Sequence, residues 1–151
     1  MVSLLPTILT LPVLLWICYI DINERRIPNR ITFPSLITLF CFLIPFAQLT
    51  NNLPSLSRAI SGALSAFLFF LSLHALNPKG LGFGDVKLAS IVGSVMAWDS
   101  IDALIYGLCA IFLIAAGYSI FVAVKNGKIF NQSIPFAPFM TAGTVFGVAF
   151  Y

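Results

Sequence analysis

Six long apolar runs, separated by short polar stretches, constrain the fold of this chain more than any other feature. In a bilayer every backbone N–H and C=O group must be paired within the protein, so such runs cross the membrane as helices or as strands of a closed barrel. Five of the six runs hold 17 to 24 residues, close to the ~20 that a spanning helix needs. We therefore predict an all-α, polytopic membrane helix bundle of about six transmembrane helices, at 4–20, 31–49, 58–76, 86–98, 101–124 and 135–151.

The composition of the chain supports this prediction. Of the 151 residues, 60% are hydrophobic and 9% are charged, and the mean hydropathy is +1.02, far from the values of soluble domains. No linker, repeat or low-complexity segment divides the sequence, so we expect a single integral-membrane domain over residues 1–151. The net charge is only +3 and no basic patch is interleaved with aromatic residues, which argues against nucleic-acid binding.

The cysteines and the small residues are interpreted as parts of helix packing. Cys18, Cys41 and Cys109 lie in apolar runs without a CxxC pair, so we predict neither a disulfide framework nor a zinc site, and expect no metal and no cofactor. Small residues four positions apart let membrane helices approach closely. We expect them to pack helices within one bundle, with a homo-oligomer as the alternative. These residues are Ala89, Gly93, Ala97, Gly143, Gly147, Ser61 and Ser65.

The basic residues predict the orientation of the bundle. Seven of the eight lysines and arginines lie in or beside the first, third and fifth loops, whereas only Arg58 lies in an even-numbered loop. Loops rich in Lys and Arg stay in the cytoplasm. We therefore predict cytoplasmic odd-numbered loops and both termini outside. The seven residues are Arg25, Arg26, Arg30, Lys79, Lys87, Lys125 and Lys128.

Two acidic residues lie where predicted spans meet the cytoplasmic side. Asp21 follows the first span, and Asp85 precedes the fourth, whose 13 residues reach only ~20 Å along a helix. Placing an acidic side chain inside or against a bilayer costs free energy, so acids at such positions usually have a function. Two carboxylates that share a site cannot both ionise easily, so one is ionised and the other keeps its proton. The ionised carboxylate can take a proton from water, while the protonated one polarises a peptide carbonyl. Asp21 and Asp85 therefore predict the catalytic pair of a membrane aspartic protease.

The surroundings of both carboxylates have functional and structural interpretations. Gly82 and Gly84 permit positive φ angles and close backbone approach, as an extended substrate beside Asp85 requires. The structural alternative for Asp85 is to cap the helix that follows it. For Asp21 the alternative is an ion pair with Arg25 at i+4.

Three sequence blocks resemble those of the type IV prepilin peptidases, which are membrane aspartic proteases of the GxGD class. Residues 21–29 (DINERRIPN) are similar to the family's first-aspartate block, and residues 82–88 (GFGDVKL) to its GxGD block. Residues 134–139 (IPFAPF) are similar to a Pro-rich block that opens the last span. The blocks match in order and spacing, and the resemblance covers essentially the whole chain.

The resemblance implies an activity, a substrate and a set of site residues. Asp21 and Asp85 would be the catalytic pair, and Gly82 and Gly84 would shape the loop around the second. The partner would be a prepilin or pseudopilin, whose short basic leader is cut from its hydrophobic N-terminal helix. The cut would take place at the cytoplasmic face of the inner membrane, where the protein is also in contact with lipid. The expected supporting residues are Pro28 and Asn29 at the entry to the second span, Lys87 as a positioning or charge-balancing group beside Asp85, and Pro135 and Pro138 at the start of the sixth span.

The sequence departs from the long members of that family in one respect. Those members carry an additional N-terminal region with paired CxxC motifs and also methylate the new N-terminus of the pilin, and nothing in this sequence corresponds to that region. We therefore expect peptidase activity without N-methyltransferase activity, as in the short members that serve tight-adherence pili. Archaeal preflagellin peptidases have a similar size. The alternatives from other classes are a small transporter or channel and a non-catalytic pilus-assembly subunit.

Overall fold

The computed structural model describes residues 4–78, 80–126 and 135–150, which form six α-helices. The predicted all-α bundle is confirmed, and the described residues contain no strand. Predictions that involve Lys79, Lys128, Ile134 or the chain ends at 1–3 and 151 lie outside the described residues. The helices are α1 (Leu5–Glu24), α2 (Asn29–Leu49), α3 (Leu53–Leu76), α4 (Phe83–Asp99), α5 (Ile101–Asn126) and α6 (Ala137–Ala149).

Four of the helices, α1, α2, α3 and α5, are long and apolar enough to cross a membrane. Helix α4 has 17 residues, at the lower limit of the usual ~17–25 for a span, and α6 has 13, which is below it. The six predicted runs therefore all form helices, but only four of these are long and apolar enough for a lone span.

Backbone conformation at two residues sets the connection between α1 and α2. Helix α1 ends because Arg25 adopts a left-handed conformation (φ 52°), and its N–H donates to the Asp21 carbonyl at 2.9 Å. Pro28 (φ −75°) then directs the chain into α2, and its carbonyl accepts the Ile31 N–H at 3.0 Å. This short connection keeps the end of α1 beside the start of α2.

Helix α4 is the centre of the bundle and contacts each of the other five helices. Apart from Lys87, every residue from Asp85 to Trp98 is buried. A helix enclosed by protein does not need to match the thickness of the lipid, which explains why the fourth apolar run is short. The helix also begins two residues before Asp85, so Asp85 lies in its first turn and not ahead of it.

Small residues let α3 and α4 pack closely. A Cβ atom at Gly93 would lie 2.5 Å from the Gly62 carbonyl oxygen, and one at Gly62 would collide with the Ala97 Cβ. The predicted small-residue ladder of α4 therefore packs within the bundle. On α3 the contact is made by Gly62 and Ala66, because Ser61 is exposed and bonds only to its own helix.

The same packing joins α5 to α6. A Cβ atom at Gly147 would lie 2.8 Å from the Gly107 Cα, and one at Gly143 would lie 2.8 Å from the Gly107 carbonyl oxygen. The predicted GxxxG pair of the last span thus holds α6 against α5. With α6 fixed in this way, its first turn lies beside the end of α1.

The two ends of the bundle differ in character. At one end the chain leaves α1 and α3 and enters α2, α4 and α6, so that the residues between these helices lie together. At the other end Arg58 donates to the carbonyls of Trp98 and Asp99 at 3.2 and 3.3 Å, where it closes the C-terminus of α4. The odd-numbered connections therefore share one end of the bundle, as the charge pattern predicts for their described residues.

Candidate active site

A cleft of about 350 Å³ opens at the end of the bundle where the odd-numbered connections meet. Its wall combines carboxylate, guanidinium and backbone groups with apolar side chains, whereas two further cavities among the described residues are lined almost wholly by apolar groups. The lining residues are Asp21, Arg25, Arg26, Ile27, Pro78, Gly80, Gly82, Phe83, Gly84, Asp85, Pro135 and Phe136.

Asp21 lies in the last turn of α1, and only 5% of its surface is exposed. Its Oδ2 atom accepts the Ala137 N–H at 3.0 Å. This amide lies at the N-terminus of α6, where the first N–H groups have no acceptor within the helix and the helix dipole favours negative charge. The sequence-based alternative, an ion pair of Asp21 with Arg25, does not occur among the described residues.

Asp85 lies in the first turn of α4 and is 9% exposed. Its Oδ2 atom accepts the Gly82 N–H at 3.0 Å, while its own N–H donates to the Gly82 carbonyl at 3.1 Å. Asp85 is therefore not the N-cap residue, which is Gly82; it lies at the third helical position, where its side chain accepts the N-cap amide, and it also lines the cleft together with Asp21. The hydrogen bond to Gly82 and a role in the cleft are compatible, because the Gly82 amide occupies only one of the two carboxylate oxygens.

The electrostatics of the cleft distinguish Asp85 from an ordinary surface carboxyl. Asp85 lies at the end of α4 that borders the cleft, ahead of the apolar part of the helix, and α4 is not one of the four helices of spanning length. Burial, followed by the nearby Asp21 carboxylate, raises the pKa of Asp85 to about 7, against an opposing hydrogen bond from the Gly82 amide. At neutral pH this carboxyl is therefore protonated in a large fraction of molecules.

The glycines beside Asp85 serve helix packing. Gly82 has an ordinary extended conformation (φ −71°, ψ 149°), and neither it nor Gly84 has a positive φ angle. Gly84 is already helical, and a Cβ atom there would lie 2.7 Å from the Ile27 Cβ. A Cβ atom at Gly82 would lie 3.3 Å from the Asp85 carboxylate. Close approach thus explains both glycines, but the neighbours belong to the protein itself.

Lys87 and Asn29 connect α4 to α2 near the cleft. The Lys87 ammonium donates to Asn29 Oδ1 at 2.8 Å and lies 4.8 Å from the centre of the Phe83 ring. Neither residue lines the cleft. Pro28 precedes α2 and orients its first turn, as expected. These residues position the elements that carry the carboxylates.

The two prolines near α6 have different surroundings. Pro135 lines the cleft, whereas Pro138 lines an apolar groove between α1 and α6. Ala137 is the first residue of α6, and Asp21 accepts its N–H. The pair therefore lies at the start of α6 as expected, but only Pro135 borders the cleft.

Several cleft residues are missed by sequence reasoning. Arg25 and Arg26 line the cleft although the sequence suggests only a role in topology and, for Arg25, an ion pair with Asp21; Phe136 forms part of the apolar wall. The His74 Nδ1 atom lies 2.7 Å from the Leu81 carbonyl oxygen and holds the segment that precedes α4. The signals that could have found the arginines and Phe136 are their positions inside the 21–29 and 134–139 blocks.

The cleft has the groups that acid–base hydrolysis requires, since it holds two buried carboxylates beside backbone amides and solvent-accessible space. Among the described residues no group of three or more His, Cys, Asp or Glu side chains is arranged to hold a metal ion.

The helices and the cleft together define a polytopic membrane protein with a candidate hydrolytic site at one end of its bundle. The chain belongs to the type IV leader peptidase family, whose family model matches residues 8–124. The match includes both Asp21 and Asp85 and ends before α6. The resemblance to prepilin peptidases is therefore confirmed.

Relatives in several bacteria share this similarity. The chain is 31% identical over 147 residues to a prepilin leader peptidase/N-methyltransferase of Bacillus subtilis, a match that covers 95% of the chain and 54% of the relative. Proteins of the same name from Burkholderia pseudomallei and Dichelobacter nodosus are 29% and 27% identical, over 87% and 84% of the chain and 43% and 42% of the relatives. The chain thus spans about half the length of the curated relatives it matches. No solved structure shows a significant match.

Proposed function

We propose that this chain is a membrane aspartic endopeptidase that removes the leader from prepilin-like substrates, with Asp21 and Asp85 as its catalytic pair. The observation that carries the proposal is the presence of both carboxylates on the wall of one polar cleft, in a chain of the type IV leader peptidase family. The names of the relatives, which denote prepilin leader peptidases, supply the substrate class.

The two carboxylates take different roles in the proposed reaction. Asp85, with a pKa near 7, carries a proton and gives it to the scissile carbonyl oxygen. Asp21, whose carboxylate accepts the Ala137 N–H at the N-terminus of α6, acts as the base and takes a proton from the water molecule whose oxygen bonds to the carbonyl carbon. Asp21 then passes that proton to the departing nitrogen as the C–N bond breaks. Asp85 recovers its proton when the C=O bond forms again.

The other expected site residues act by support. Gly84 lets the start of α4 lie against Ile27, and the hydrogen bond between Lys87 and Asn29 holds α4 to α2. The amide of Ala137 fixes the Asp21 carboxylate. These contacts join α1, α2, α4 and α6 around the cleft, so that each carboxylate depends on a neighbouring element for its position. The remaining supporting residues are Gly82, Pro28, Pro135 and Pro138.

The proposed cleft faces the cytoplasm from the inner membrane. Arg25 and Arg26 line it, and Arg30 lies in the first turn of α2 beside it. Basic residues of this kind stay on the cytoplasmic side during insertion. A transporter has less support, because the buried helix α4 fills the centre of the bundle and both carboxylates lie at one end.

The direct test is to co-express the chain with a prepilin that carries its leader and apolar helix, and to follow leader removal by gel shift. We expect cleavage by the wild-type chain and none by Asp21→Asn or Asp85→Asn. Processing by either variant at a rate close to that of the wild-type chain would show that the proposed pair is wrong. Mass spectrometry of the product then identifies the bond that is cut and any methyl group on the new N-terminus. We expect that N-terminus to be unmethylated.

A further inference from the structure

We propose that the apolar groove between α1 and α6 holds the hydrophobic helix of the substrate while the leader lies in the cleft. This inference rests on the proposed function and assigns it a substrate-binding surface. The groove has a volume of about 670 Å³ and is open to the outside of the bundle, where its residues Leu15 and Val145 are exposed. Leu11, Leu15 and Cys18 line it from α1, and Thr141, Ala142 and Val145 are among the residues that line it from α6.

The groove is continuous with the candidate site. Cys18 lies three residues before Asp21 on α1, and Thr141 lies four residues after Ala137 on α6. On α1 one turn of helix separates the groove from the hydrogen bond between Asp21 and Ala137, and on α6 the groove residue Pro138 directly follows Ala137. A polypeptide cut beside Asp21 enters the groove directly when it continues along the bundle.

The chemistry of the groove suits an apolar helix. Its two polar side chains bond to one another, with 3.0 Å between the Cys18 Sγ and Thr141 Oγ1 atoms, and the Thr141 hydroxyl also donates to the Ala137 carbonyl at 3.0 Å. No unpaired polar group is thereby presented to a ligand at this point. The 13 residues of α6 extend ~20 Å, so the groove can support about the same length of a parallel substrate helix.

The position of the groove favours the substrate helix over lipid or a second copy of the chain. A second apolar cavity, of about 510 Å³ between α3 and α5, has no lining residue within a helical turn of either carboxylate, and it approaches the cleft only where the Phe112 ring lies 6.1 Å from the Phe136 ring. Lipid would fill both cavities equally. Of these two cavities, the α1–α6 groove is the one that begins beside Asp21, so a substrate helix in it gains contacts while its leader is being cut.

A kinetic comparison of two tryptophan variants tests the proposal. Ala142 is an exposed residue of the groove, and Ala142→Trp fills part of it; Leu113→Trp places the same side chain in the other cavity and is the matched control. Each variant is given a prepilin with its full apolar helix and a shortened peptide that ends a few residues after the cleaved bond. We expect the ratio of kcat/KM for the long substrate to that for the short one to fall at least tenfold in Ala142→Trp, mainly through KM, and to stay constant in Leu113→Trp.

Photo-crosslinking provides a second measurement that does not depend on turnover. A photoreactive phenylalanine derivative at Val145, in an Asp85→Asn background that does not cut, should crosslink to the apolar helix of the prepilin. The same group at Leu113 should not. Crosslinks from Val145 to lipid alone, or to a second copy of the chain, would overturn the proposal.

The outcomes separate this proposal from the proposed function. If the wild-type chain cuts neither substrate, the proposed function fails and the groove has no substrate to hold. If it cuts both, and Ala142→Trp leaves the ratio of the two unchanged, only the groove proposal fails. An equal fall in both tryptophan variants would likewise overturn it, because the effect would then not belong to the α1–α6 surface.

Discussion

The Asp21 carboxylate accepts the Ala137 N–H at 3.0 Å, across 116 positions of the sequence. This hydrogen bond joins the last turn of α1 to the first turn of α6 at the wall of the cleft. Because buried carboxylates are stable only when their oxygens are paired, the bond fixes both the orientation of Asp21 and the position of α6. The site is thus formed where the last turn of α1 and the first turn of α6 meet the start of α4.

Substitution of Asp85 by asparagine should separate catalysis from stability. In Asp85→Asn the side-chain amide oxygen can still accept the Gly82 N–H, so the cap of α4 is retained, but the amide cannot transfer a proton. We expect cleavage to fall by about 10²–10⁴-fold, the usual contribution of a general acid, while the thermal midpoint in detergent is unchanged or higher.

The matched control is Asp102→Asn, which makes the same change at an exposed residue in the first turn of α5. Asp102 lies near the opposite end of the bundle, so its variant should cut the substrate at the wild-type rate. A large loss of activity in Asp102→Asn, or a loss of folded protein in Asp85→Asn, would contradict this account.

The pH dependence of cleavage should follow the ionisation of Asp85. Its pKa is about 7, and the proposed mechanism requires its protonated form. As pH rises through 7 the acid is lost, so kcat/KM should fall by up to about tenfold for each further pH unit. A rate that stays constant up to pH 9 would rule out Asp85 as the proton donor.

The same shift has a consequence for stability. The ordinary pKa of an aspartate is 3.8, so the native state binds this proton more tightly than the unfolded chain does. The contribution of Asp85 to the free energy of unfolding should therefore be largest below pH 4. That contribution should decrease as the pH rises toward 7 and be lost above it. Asp85→Asn should remove this component of the pH dependence, which thermal unfolding at several pH values can measure.

Gly84→Ala should disturb the start of α4. The added Cβ atom would lie 2.7 Å from the Ile27 Cβ, and neither atom can move without a shift of backbone. We expect a cost of about 1–3 kcal/mol in stability and a roughly hundredfold loss of kcat/KM, because a displacement of ~1 Å at a reacting group has effects of that size. Gly117→Ala is the control: nothing lies within 4 Å of its Cβ, so it should leave activity intact. Equal behaviour of the two variants in activity and unfolding assays would show that the contact with Ile27 is unimportant.

Lys87→Met should have a smaller effect than substitution of either carboxylate. Lys87 bonds to Asn29 and lies outside the cleft, so its loss removes one interhelical hydrogen bond. We expect kcat/KM to fall by less than about tenfold, as for a bond worth ~1 kcal/mol. The double variant with Asn29→Ala should be no worse than the poorer single variant. Loss as large as that of Asp85→Asn would instead indicate contact with the reacting groups.

The sequence is sufficient to predict that Asp21 and Asp85 lie at the same end of the bundle, where both line the cleft, but not which of their neighbours reach it. Both acids end or begin an apolar run, and the alternation of loop charge places those ends on one side. The sequence also predicts that the small residues of α4 pack within the bundle, because their spacing of four positions matches one face of a helix. These features depend on local pattern alone.

The remaining features depend on tertiary contacts, which no local pattern encodes. The donor to Asp21 is the backbone amide of Ala137, and a backbone group carries no sequence signature. The central burial of α4 arises from the other helices enclosing it, so its length alone does not reveal it. Gly84 is explained by the side chain of Ile27, 57 positions earlier, and not by a special φ angle.

The orientation of the cleft can be tested by labelling with a thiol reagent that does not cross membranes. In a background without Cys18, Cys41 and Cys109, single cysteines are introduced as Arg26→Cys at the cleft end and Thr50→Cys at the other end, both exposed positions. Because the cleft end carries the basic residues, we expect intact cells to label only Thr50→Cys and lysed cells to label both. Labelling of Arg26→Cys alone in intact cells would reverse the orientation and place the cleft away from the cytoplasm.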